Sequence, residues 1–96
     1  LIMAIFTANR ASSDSNVLYP DILEVDDNRV IYHKGYVFGY KTIVILANNI
    51  ASVSASSGLF FVDIIVASKG GEWIRARGFN KSKAMDIINT IEAIIK

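Results

Sequence analysis

The chain contains no cysteine, which removes disulfide scaffolds, thiolate zinc sites and thiol nucleophiles together. A single histidine, His33, makes a multi-histidine metal centre or a Ser–His triad a poor prospect. Proline occurs once, at Pro20, closing the one stretch that reads as loop, Ala8 to Pro20, where Ser, Asn and Asp cluster. Charge is also scarce: 20% of the residues are charged, and ten bases against nine acids leave a formal +1. Such a balance excludes the broad electrostatic footprint of a nucleic-acid binder. Long apolar runs are missing as well. Leu1 to Phe6 and Ile43 to Ala47 fall far short of the ~20 residues of a spanning helix. Leu1 to Phe6 has no basic lead-in for a signal peptide, so the cytoplasm is the expected compartment. The sequence starts at Leu1 rather than Met, which leaves room for residues upstream.

What is present is apolar. Hydrophobic residues make up 52% of 96 positions, enough for one packed domain and too many for a disordered chain. Ile2 to Thr7 is a candidate first strand. In Asp21 to Asp26, Leu23 and Val25 share one face while Glu24 points away. Asp26-Asp27-Asn28-Arg29 is turn chemistry, and Arg29 to Lys34 returns. Gly35 and Gly39 bracket Tyr36-Val37-Phe38 as a second turn, followed by Tyr40 to Leu46. After Asn48-Asn49, Ile50 to Ser56 has inward anchors at Ile50 and Val53, a spacing of three that calls for a β-bulge. Leu59 to Ser68 alternates cleanly, with Phe60, Val62, Ile64 and Val66 on one side. Lys69-Gly70-Gly71-Glu72 forms a hairpin loop, and Trp73 to Phe79 returns.

The period then changes. Ala84, Ile87, Ile88, Ile91, Ile94 and Ile95 mark a helical stripe, with Asn80 as N-cap and Glu92–Lys96 as an i,i+4 pair. The expected organisation is a single domain over residues 1–96: an N-terminal strand and loop (1–20), antiparallel strands (21–79) and a helix (81–95). Consecutive hairpins require antiparallel pairing.

Several pieces, in order, resemble the bacterial pleckstrin-homology-like (PH-like) domains. They are Leu23-Glu24-Val25, Asp27 to Tyr32, Lys34-Gly35, Asn49 to Val53, Phe60 to Val66, Gly70-Gly71, and Phe79 to Ala84. The resemblance implies a mainly β fold, a PH-like antiparallel β-barrel of about seven strands capped by the C-terminal helix. Ile2 to Thr7 would be the seventh strand. It also implies a non-catalytic module without a cofactor, since such domains are generally not enzymes and several are thought to self-associate. Eukaryotic relatives bind inositol phosphates with bases in the loop joining the first two strands. Here that loop holds Arg10 against Asp14, with Asp21 adjoining, so the resemblance does not carry that activity over.

Residues that bear on function are few. His33, beside Lys34, has no carboxylate near it in sequence and reads as a surface strand histidine. Asp21, Glu24, Asp26 and Asp27 do not follow a calcium-loop spacing and read as hairpin vocabulary. Neither Gly35-x3-Gly39 nor Gly70-Gly71 opens a helix, as a phosphate cradle must. The expected interaction surface is Phe61, Ile65, Trp73, Arg75 and Arg77: a second apolar face on one strand, beside a Trp/Arg face on the next. Its expected partner is another copy of the chain or a different protein, with self-assembly favoured. The alternative is contact with anionic lipid through Lys34, Tyr36, Phe38, Tyr40 and Lys41, a turn with aromatic residues and flanking bases.

Overall fold

The computed structural model describes residues 3–8, 20–36 and 39–95. Seven strands run in sequence order: β1 (Met3–Thr7), β2 (Ile22–Asp26), β3 (Arg29–Tyr36), β4 (Gly39–Leu46), β5 (Ile50–Ser57), β6 (Val62–Ser68) and β7 (Trp73–Phe79). A turn of 3-10 helix, Ala47–Asn49, separates β4 from β5, and the helix α1 (Lys81–Ile94) ends the fold. The strands form two antiparallel sheets, β1-β2-β3-β4 and β5-β6-β7. Their inner positions and the apolar side of α1 share one core, in which Leu23, Ile64, Ile74, Phe79, Ile87 and Ile91 are fully buried.

Local chemistry explains the boundaries. Asp26 Oδ1 accepts from the backbone N–H groups of Asn28 at 2.8 Å and Arg29 at 3.0 Å, which closes the β2–β3 turn. The β6–β7 loop needs positive φ, and Gly71 supplies it at 92°. Asn80 caps α1 as its sequence suggests, its Oδ1 accepting from Lys83 N at 2.8 Å. Ala84, Ile87, Ile91 and Ile94 are buried, with Ile88 and Ile95 partly so. Burying each isoleucine contributes about 1.5–3 kcal/mol, more than the cap's ~1 kcal/mol, so packing holds the helix in place. Lys96, and with it the Glu92–Lys96 pair, lies outside the described residues.

Two register shifts set which side chains face inward. The expected bulge in β5 is present between Ile50 and Ser52, and it leaves Ile50 buried and Val53 half-buried against the core. The other shift was not visible in the sequence. Val62 pairs with Phe79 but Ile64 pairs with Ala76, so Asp63 alone faces both Arg77 and Gly78. Gly78 has φ 93°, a backbone that a side chain opposes. The extra residue shifts the phase and turns Phe79 inward, where it is fully buried.

Two expectations need correction. β6 begins at Val62 rather than Leu59, because Gly58 N–H donates to Phe61 O at 2.7 Å and closes a turn there. Phe60, expected on the inner face, is at that turn and 78% exposed. Gly35 lies within β3, buried and in register with Tyr40, rather than in the following turn.

Candidate interaction surface

The polar interior is small and mostly structural. Asp21, 3% exposed, accepts from Tyr32 Oη at 2.8 Å and from Arg77 N at 3.2 Å. Its own carbonyl accepts from Ala8 N at 2.8 Å. The carboxylate thus fastens β3 in the first sheet to the β7 bulge in the second, while the main-chain carbonyl of the same residue holds the end of β1. That is a keystone of the fold.

The expected surface on the second sheet is partly assembled. Trp73 stands opposite Ala67, and Arg75 opposite Ile65, so Ile65, Trp73 and Arg75 share the outer face, with Arg77 beside the bulge. Trp73 is well exposed, while Ile65, Arg75 and Arg77 are half-buried. Phe61 is half-buried too, but it precedes β6 and stands at the rim of that face. Arg75 Nε and Nη2 both donate to Asp63 Oδ2, at 3.1 and 2.9 Å, so part of the positive charge is neutralised within the chain. Ser52, Ser54 and Ser56 of β5 complete the face.

A larger apolar area covers the outside of the first sheet, and sequence reading missed it. Register places Met3 and Ile5 of β1, Ile22 and Glu24 of β2, Ile31 and His33 of β3, and Val44 and Leu46 of β4 on one face. Met3 is 63% exposed, Ile5 60%, Val44 45% and Leu46 54%. The signal was available: Met3 alternates with Ala4, and Ile43-Val44-Ile45-Leu46 is apolar at both parities, the mark of a strand covered on two sides.

Polar side chains on this face bond to one another. His33 Nε2 is hydrogen-bonded to Glu24 Oε2, and its Nδ1 lies 3.1 Å from Thr42 Oγ1. The carboxylate that His33 lacks in sequence comes from the neighbouring strand. Arg29 Nε donates to Asp26 Oδ2 at 3.2 Å. The bond from Asn28 N–H, followed by the Arg29 guanidinium, holds the Asp26 carboxyl below its ordinary 3.8. Ile5, Ile22, Glu24 and His33 line an open groove of about 390 Å³.

At the far end of the first sheet, Lys34 and Lys41 are direct cross-strand partners. Phe38 and the side chains of Tyr36 and Tyr40 lie outside the described residues, as does the Ala8–Pro20 loop between positions 9 and 19. Among the described residues no three His, Asp or Glu side chains gather as a metal site. No described helix is long and apolar enough to cross a membrane.

Comparison with known proteins gives one answer. No curated protein and no solved structure matches the chain significantly. The sequence model of a bacterial PH domain does match, over residues 2–93, from the first strand to the last turn of α1. With seven antiparallel strands, a terminal helix and a match over nearly the whole sequence, the chain belongs to the bacterial PH domain family.

Proposed function

We propose that this domain is a non-catalytic interaction module that buries the outer face of its first sheet against a second copy of itself. The observation that carries the reading is the exposure of Met3, Ile5, Val44 and Leu46 on one face. Apolar patches of this kind mark interaction sites rather than ordinary surface. A second copy fits because the polar side chains of this face bond within the chain, Glu24 to His33 and Asp26 to Arg29, and leave the apolar positions between them to meet their like. The two sheets would form the halves of a PH-type barrel, with α1 filling one end and this face left on the outside. Phe61, Ile65, Trp73, Arg75 and Arg77 supply a smaller, more polar contact on the second sheet.

Light scattering on charge-insertion variants tests the assignment. Ile5→Asp and Leu46→Asp, both at exposed positions, should leave the circular dichroism spectrum intact and lower the solution mass. Ile65→Asp should lower it less. A mass unchanged by Ile5→Asp and Leu46→Asp removes the first-sheet face from the account.

One further observation favours a second reading, contact with anionic lipid. Lys34 and Lys41 face each other directly, and like charges at opposed positions repel unless an anion lies between them. Flotation with vesicles rich in anionic lipid should then recover the wild-type chain, and recover less of Lys34→Gln/Lys41→Gln. Absence of recovery at low salt rejects this reading.

A further inference from the structure

We propose that the edge of β5 left unpaired among the described residues is a second self-association site, where two copies pair β5 with β5 antiparallel about a twofold axis near Ser54. This contact is separate from the first-sheet face and stands or falls independently of it.

The argument begins with how each sheet edge is guarded. An edge strand presents unpaired N–H and C=O groups, and proteins blunt such edges by shortness, charge, proline or bulges. β1 has only five residues. β4 carries Lys41. β7 carries Arg75 and Arg77 and the Gly78 bulge, and the Arg77 N–H is taken by Asp21. β5 is neither short nor charged, and although α1 packs on it as on β6, its positions 51, 52 and 54 to 57 stay exposed. It is eight residues long, Ile-Ala-Ser-Val-Ser-Ala-Ser-Ser, without charge or proline, and its one irregularity is confined to its start. Among the described residues it pairs only with β6.

Burial along β5 agrees. Ala55 and Ser57 are in register with Ile64 and Val62, both buried, so they belong to the inner phase of the sheet. Both are nonetheless exposed. The core therefore stops short of the far half of this strand. Immediately beyond it, Leu59 is 87% exposed and Phe60 78%.

A second copy satisfies these features together. Antiparallel pairing of identical strands is isologous, so one available edge suffices for closure. A strand without charge brings no like charges into opposition when it meets itself. With the axis at Ser54, Ser57 comes opposite Ala51 of the other copy. Leu59 and Phe60 then lie beside the segment that precedes the other β5, at both ends of the pair. The result is one continuous six-stranded sheet.

The absence of cysteine makes the test direct, since a single introduced thiol can form a disulfide only between chains. Opposed antiparallel residues lie about 4.5–5.5 Å apart at Cα, within disulfide reach. Ser52→Cys, Ser54→Cys and Ser56→Cys would be oxidised in parallel with Asn89→Cys, on the exposed side of α1. Cross-linking at one of the serine positions is expected to exceed that at Asn89 by about tenfold, given that geometry. Ser54→Lys should remove the edge contact while keeping the native circular dichroism spectrum, and lower the solution mass. Equal cross-linking at all four positions overturns the proposal. So does an assembly that Ser54→Lys leaves intact while Ile5→Asp disrupts it; that outcome preserves the face reading alone. A wild-type chain that is monomeric throughout overturns both.

Discussion

Asp21 shows how one side chain can hold a fold. Its carboxylate accepts from two strands that belong to different sheets, deep in a region with little other polarity. Truncation to alanine takes the acceptor from the Arg77 N–H, and a buried donor left without a partner costs about 1–3 kcal/mol. Asp21→Ala is therefore expected to lower stability by about 2–4 kcal/mol in urea denaturation, counting both lost bonds. Asp21→Asn, which keeps one acceptor oxygen, should lose less. Asp26 supports a pH prediction. Its pKa is lowered in the folded chain, first by the bond from Asn28 N–H. A depressed carboxyl contributes stability above its unfolded value, and that contribution fades as pH falls through the folded value. Titration followed by carboxyl-carbon NMR should place Asp26 below 3.8, and Asp26→Asn should weaken the dependence of stability on acid in that window. None of the cross-strand polar pairs was legible beforehand. Glu24 and His33 are nine residues apart, and Asp21 and Arg77 fifty-six, so only the register brings them together.

At the scale of elements, most of the architecture was readable. Strand parity, turn residues and the isoleucine period located β1 to β5, β7 and α1 within a few residues, and the Asn80 cap and the β5 bulge were found as well. Two errors share a cause. Apolar residues beside a turn have the look of strand at Leu59 to Phe61, and a glycine within a strand has the look of turn at Gly35. Periodicity reports which face a residue prefers, but backbone hydrogen bonds decide where a strand starts. The Gly78 bulge was hidden for the same reason, since its evidence is a pairing offset. At φ 93° a Cβ is opposed, so Gly78→Ala should cost about 1–2 kcal/mol in thermal or chemical unfolding. Asn89→Ala, at an exposed position of α1, should be nearly neutral, and a similar loss at both positions would refute the account of the bulge.

The whole molecule has more apolar surface than its own core uses. Its inner sheet faces and α1 share one core, while Met3, Ile5, Val44 and Leu46 remain outside it. The sequence pointed to surplus apolar wall, but on the second sheet. Ile43 to Ala47, too short to span a membrane, is apolar on both faces of β4, and that is the trace the first-sheet face leaves in the sequence. Membership of the bacterial PH domain family suggests a binding module, and the proposal assigns that role to the exposed face. Sedimentation equilibrium of the unmodified chain over a wide concentration range tests self-association most directly. The account predicts a concentration-dependent mass at a multiple of 10.6 kDa, with reduced mass for Ile5→Asp. A constant mass of 10.6 kDa up to the highest soluble concentration would contradict it.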